Sequence, residues 1–137
     1  MKNYEQIDIS GDAGLRIRGE TIKQLFENAA LGASELMADT SKITETEKKD
    51  IHLTAENQEH LLVLWLNELI FFFDAYGFIG RKFSVILRDN SLNADVSGGT
   101  FDPGINEGRL LVKAATYNSL SLKKTGFGWE ATVVFDI

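Results

Sequence analysis

The 137-residue sequence has no cysteine, which excludes a disulfide framework, a thiolate nucleophile, an iron–sulfur cluster and cysteine-bound zinc. Its two histidines, His52 and His60, leave little for imidazole acid–base or metal chemistry, and no serine sits in a Gly-x-Ser-x-Gly elbow. The single proline argues against a disordered or proline-rich linker. The greasiest stretch, Leu61 to Phe73, is interrupted by Asn67 and Glu68 and is too short to span a bilayer, and the opening MKNYEQIDIS lacks the apolar core of a signal peptide. No membrane association and a cytoplasmic location are therefore expected. Positive charge is also in deficit, with 14 Lys+Arg against 20 Asp+Glu and a net charge of −6. The whole-molecule field disfavours direct nucleic-acid binding, although it leaves room for a local basic patch.

What remains has average globular composition, 44% hydrophobic and 25% charged, at a length that buries a core without covalent staples. One domain, residues 1–137, is expected. Ile7 and Ile9 share a face, as do Leu15 and Ile17, with Ser10-Gly11-Asp12-Ala13-Gly14 as a turn between two short strands. Thr21 precedes Ile22, Leu25, Phe26, Ala29, Ala30, Ala33, Leu36 and Met37 at helical spacing and makes a capping-box pair with Gln24, which predicts a helix from Thr21 to about Met37. Asp39 to Asp50 reads as a solvated, mobile loop with room for a short turn.

Ile51, His52 and Leu53 form a short alternating run, and Asn57 can cap a second helix ending at Gly77. That helix is apolar almost all round, so a sheet on one side and the first helix or a partner protein on another should enclose it. Residues 83–88 and 92–96 alternate as a hairpin. Ser97 to Gly108 reads as a loop, Leu110 to Leu122 as extended chain, and Thr125-Gly126-Phe127-Gly128 as a turn into a last strand with Trp129, Ala131, Val133 and Phe135 on one face. The order implies an α+β fold, two helices on a mostly antiparallel sheet.

Motifs that carry chemistry are few. Ser97-Gly98-Gly99-Thr100 and Gly11-Asp12-Ala13-Gly14 lack Walker spacing and read as plain turns. Asp12 in its turn and Asp136-Ile137 at the end of the last strand are different. If the first and last strands meet, two side-chain carboxylates and the terminal carboxylate converge, a donor set for a hard divalent cation such as calcium or magnesium. Lys113, in an apolar run with Ala115 and Tyr117 on its face, reads as a solvent-face or edge lysine or as a functional cation. Asp102, beside Pro103, reads as a turn-former.

These residues resemble an archease over nearly the whole chain. The resemblance rests on Gly11-Asp12-Ala13-Gly14, Phe26-Glu27-Asn28-Ala29-Ala30, Leu61-Leu62 with Trp65-Leu66-Asn67-Glu68-Leu69, Val112-Lys113-Ala114-Ala115-Thr116-Tyr117 and Val133-Val134-Phe135-Asp136-Ile137. It implies a small α+β protein that is not itself an enzyme and assists the tRNA-splicing RNA ligase, promoting guanylylation and multiple turnover. It also implies a divalent cation, usually calcium, held by Asp12, Asp136 and Ile137. The chain departs from the family at three histidine positions: Ile9 opens Ile9-Ser10-Gly11-Asp12 where the family usually has His-Thr-Ala-Asp, Asn118 follows Tyr117, and Asn106 lies near Pro103. An imidazole N–H that would orient a metal-ligating carboxylate is absent at each. The alternatives are a metal-dependent phosphoester hydrolase using Asp12, Asp102 and Asp136, and a chaperone-like module that binds proteins through its apolar second helix.

Overall fold

The computed structural model describes residues Lys2 to Ile137. Strands β1 (Tyr4–Ile9) and β2 (Asp12–Gly19) form an antiparallel hairpin closed by Ser10 and Gly11, whose φ of +81° is readily adopted only by a residue without a Cβ. The predicted turn is thus shorter than Ser10–Gly14, because Asp12 already pairs with Ile9 as the first residue of β2. Along β2, Leu15 and Ile17 are buried while Arg16 and Arg18 point the other way, Arg16 to Glu5 at 3.2 Å.

Helix α1 spans Ile22–Met37. Thr21 Oγ1 accepts the Gln24 N–H at 3.1 Å, and Gln24 Oε1 accepts the Glu20 N–H at 3.0 Å, a reciprocal cap that reaches one residue further back than the usual box. Its buried stripe is rich in alanine (Ala29, Ala30, Ala33), so the backbone can approach β2 closely. The segment after it is more ordered than its charge suggests: a 3-10 turn covers Thr40–Lys42, and strand β3 (Glu47–Thr54) begins four residues ahead of the Ile51 run. Because β3 is an edge strand, a ladder with one neighbour defines it, and its solvent side tolerates charge.

Helix α2 (Gln58–Tyr76) starts where Asn57 Oδ1 accepts the His60 N–H at 2.8 Å and ends at Gly77, with φ +68°. Leu61, Leu62, Val63, Trp65, Leu66, Leu69 and Ile70 are all buried, and the Trp65 indole N–H donates to the Phe26 carbonyl at 2.9 Å, tying the helices together. The apolar helix is therefore consumed by the core. Phe72 and Phe73 pack against the core, and only Phe71 (51%) and Tyr76 (63%), at the far end, are largely exposed. What α2 leaves open for a protein partner is this C-terminal end rather than its whole apolar face.

Strands β4 (Phe78–Arg88) and β5 (Ser91–Thr100) make the expected hairpin, in a three-stranded sheet ordered β3-β5-β4. Contrary to the expectation of a turn, Ser97-Gly98-Gly99-Thr100 is the end of β5. A Cβ on Gly98 would lie 2.0 Å from the Ile79 carbonyl oxygen, and one on Gly99 would lie 2.0 Å from that of Thr44. Glycine is needed there for close backbone approach, not for positive φ.

Of the predicted extended stretch 110–122, only β6 (Ala114–Ala115) and the start of β7 (Ser121–Thr125) are strand, with a turn between them in which Ser119 has φ +53°. The last strand, β8 (Gly128–Asp136), buries Ala131, Val133 and Phe135, while Trp129 packs partly exposed against the core. It is central to a five-stranded sheet in which β1-β2 lies on one side and β6 and β7 share the other. All strand pairs are antiparallel, in two sheets rather than one, and α1 packs on both β2 and β4. The architecture is α+β, as expected.

Candidate functional site

The β2–β8 register runs from Gly19 opposite Trp129 to Ala13 opposite Phe135. Continuing it by one residue sets Asp12 opposite Asp136, with Ile137 immediately beyond. The first and last strands do not themselves meet, because β2 lies between β1 and β8, and Asp12 comes to the end of the ladder as the first residue of β2.

A third strand closes the corner. In β6, Ala114 pairs with Asp136 and Ala115 with Phe135, and the Lys113 N–H donates to the Asp136 carbonyl at 2.8 Å. Beyond it, the Thr116 N–H and hydroxyl both donate to the Val134 carbonyl, each at 2.9 Å. Two residues make a weak strand, and the support comes from α2. Asn67 Oδ1 accepts the Ala115 N–H at 2.8 Å and its Nδ2 donates to the Ala115 carbonyl at 3.2 Å, so the amide acts as a surrogate strand neighbour. Sequence reasoning missed this role, although an asparagine in an almost wholly apolar helix is the signal that would have found it.

Asp12 is half-buried, and Asp136 and Ile137 are exposed. Among the described residues, no Lys, Arg or His nitrogen lies within ion-pair distance of Asp12 or Asp136. No side-chain cation among the described residues therefore neutralises either carboxylate, and Asp136 and Ile137 are open to solvent. Two aspartate carboxylates are oxygen donors of the kind that a hard cation takes. They stop short of three acidic or histidine side chains, and no group of that kind occurs among the described residues.

Other candidates fall elsewhere. Asp102 does not join Asp12 and Asp136 in a metal-capable group. Its Oδ1 accepts the Gly104 N–H at 2.9 Å, and its backbone bonds Asn106, so it forms a turn. Lys113 has an exposed side chain and meets Asp136 only through its backbone. The shared face with Ala115 and Tyr117 is lost because β6 is so short. His60 packs edge-on against Tyr117 at 5.5 Å. His52 lies on the outer face of the small sheet between Asn93 and Asp50.

At the departed histidine positions, Ile9 pairs with Asp12, Asn118 is exposed and donates its N–H to Thr116 Oγ1 at 3.3 Å, and Asn106 is buried. Asn106 Oδ1 accepts the Asp102 N–H at 2.7 Å, while its Nδ2 has no partner.

Three groups outside the corner have displaced pKa values. The hydrogen bond to Asn93, followed by the bond and charge of Asp50, raises His52. The Ser41 backbone N–H holds Asp39 down, and burial, followed by the charge of Glu35, raises Tyr4.

No helix among the described residues is long and apolar enough to cross a membrane. The model of the archease protein family matches residues 4–137. The protein archease of Methanosarcina mazei is 37% identical over 99% of this chain and 97% of its own length, and that of Saccharolobus islandicus is 35% identical over the whole of both. The solution structure of protein 1598 of Methanobacterium thermoautotrophicum superposes over the full length of both chains with a TM-score of 0.87 at 33% identity. A Thermotoga maritima archease, described as a possible chaperone, shares the fold with a TM-score of 0.68 at 22% identity, covering 97% of this chain and 96% of that one. This chain belongs to the archease family.

Proposed function

We propose that this protein is an accessory factor, not itself a catalyst, for a tRNA-splicing RNA ligase, promoting the ligase's guanylylation and multiple turnover. Its working part is the acidic corner, where Asp12, Asp136 and Ile137 hold a divalent cation, calcium or alternatively magnesium. The observation that supports this reading is the β2–β8 register, which ends at the Ala13–Phe135 pair and, continued by one residue, would bring Asp12 and Asp136 to the same strand end. Family membership supports it, as does the lack of any ion-pair partner for either carboxylate among the described residues.

The chain's own residues would build the site. Asp12 supplies a half-buried carboxylate from a hairpin tightened by Gly11, Asp136 supplies an exposed one from the end of β8, and Ile137 would add main-chain oxygen beyond it. Asn67 and β6 hold the Asp136 backbone in place. A bound cation would offset the like-charge repulsion and leave coordination positions open to phosphate or carboxylate oxygens of the partner. In multiple-turnover ligation by the tRNA-splicing ligase, the wild-type protein should stimulate turnover and Asp12→Asn should not. Retained stimulation by a folded Asp12→Asn protein would refute the role of the corner.

The hydrolase reading loses support because Asp12, Asp102 and Asp136 do not form a three-carboxylate metal group among the described residues.

A further inference from the structure

Helix α2 contains Glu59, Glu68 and Asp74 but no lysine or arginine. None of these acids has a cationic nitrogen within ion-pair distance among the described residues. Asp74 sits in the last turn, where the carbonyl end of the helix is itself negative and no basic side chain of the helix offsets it. A carboxylate there stands against the helix field.

The core stops covering the helix at this same end. Leu64, Glu68, Phe71 and Ala75 recur at helical spacing and share one face. Leu64 and Glu68 are half-buried, and Phe71, Asp74 and Ala75 are exposed. Contacts fix the borders of the face. On one side Asn67 is tied to Ala115 of β6, and on the other Phe72 packs against the core. The Phe71 ring meets Phe72 at 6.0 Å and Tyr76, edge-on, at 5.8 Å, so the aromatic surface continues to the helix end. Lys49 of β3 lies over that surface, 5.3 Å from the Phe78 ring centre, 5.7 Å from Phe72 and 5.8 Å from Tyr76. The rings thus already take one cation on the β3 side. Phe71 has no such cation among the described residues, although Glu68 and Asp74 flank it three residues to either side.

We propose that this stretch of α2 is the docking face for a basic amphipathic helix of a partner protein. Its aliphatic side chains pack on Leu64, Phe71 and Ala75, and its arginines pair with Glu68 and Asp74 while lying on the Phe71 ring. Charge selects this occupant. The helix offers acid without base on a chain of net charge −6, and a guanidinium satisfies a carboxylate and a ring at once. Anchors spaced at about one and two turns suit a helix laid along them. The face is separate from the acidic corner and needs no bound cation, so its test and that of the ligase reading fail independently.

The test is a titration of the full chain with a synthetic amphipathic helical peptide of leucine, alanine and arginine, beside the same peptide with glutamate in place of arginine. Binding is followed by peptide anisotropy and by backbone NMR. The arginine peptide should bind and shift the α2 amides from Leu64 to Tyr76 most, and the glutamate peptide should not bind. Phe71→Ser should weaken binding by about 5-fold or more. The Glu68→Gln/Asp74→Asn double variant should weaken it by roughly 2- to 30-fold at low ionic strength and by little at high salt. Asp95→Asn, which removes an exposed acid from β5, should bind as the wild type does, separating this face from general attraction to an acidic protein. Trp65, fully buried, reports that each variant is folded. Absence of binding, equal binding of the glutamate peptide or by Phe71→Ser, an equal loss in Asp95→Asn, or shifts centred on the acidic corner would each overturn the proposal. So would a wild-type dimer that Phe71→Ser converts to monomer, since that assigns the face to a second copy of the chain.

Discussion

Asp12 and Asp136 each lie one step beyond the Ala13–Phe135 pair that ends the β2–β8 ladder, with no cationic side chain among the described residues within ion-pair distance of either. Like charges brought together there would destabilise the strand pair by up to about 1 kcal/mol. A cation between them reverses the sign. In chelator, Asp12→Asn should therefore melt at or slightly above the wild-type temperature. In saturating calcium the order should invert, because a ligand present at about 100 times its Kd stabilises the native state by roughly 2.7 kcal/mol. Thermal melts of both proteins in both buffers check this. The same order in both buffers would count against a cation at the corner.

Asn67 ties α2 to β6 through both halves of its amide. Asn67→Ala leaves the Ala115 N–H and carbonyl short of partners beside Asp136. A loss of about 1–3 kcal/mol is expected, read from urea unfolding with an unchanged m-value. Hydrogen exchange should quicken first at Ala115 and Thr116, since β6 is only two residues long.

Two glycines should respond in opposite ways. Gly98→Ala puts a Cβ about 2.0 Å from the Ile79 carbonyl oxygen, a backbone atom that cannot turn aside, so loss of several kcal/mol or failure to fold is expected. Gly126→Ala meets nothing within 4 Å, at a φ outside the left-handed region, and should change stability by no more than about 0.5 kcal/mol. Denaturation midpoints of the two variants decide it.

His52 should titrate above 6.5, because Asn93 first and Asp50 second favour its protonated form. The interaction contributes fully below the unfolded-state value near 6.5 and is lost as pH rises through the higher folded value. Proton NMR of the ring should show the raised midpoint, and Asn93→Ala should bring most of it back. Since His52 is on an open sheet face, ligase stimulation should not follow this titration.

Much of this architecture was legible because its signals are local and periodic. The caps at Thr21 and Asn57, the stop at Gly77 and the buried face of β8 each follow from a few neighbouring residues. The charged start of β3 was not legible, since an edge ladder leaves no alternating side-chain trace, and the glycines of β5 were misread because close backbone approach and a turn use the same residue. At the candidate site, Asp12, Asp136 and Ile137 could be singled out, but that β2 is the neighbour of β8 depends on strand order, a long-range property that single-chain patterning does not carry. Asn67 was hidden for the same reason, because its partner is 48 residues away.

The most direct test of the central claim is multiple-turnover RNA ligation by the tRNA-splicing ligase, without this protein, with the wild type and with Asp12→Asn. Stimulation by the wild type that disappears in the folded variant is the expected result. Stimulation that survives Asp12→Asn, or none from a folded wild-type protein, would contradict an accessory role carried by the acidic corner.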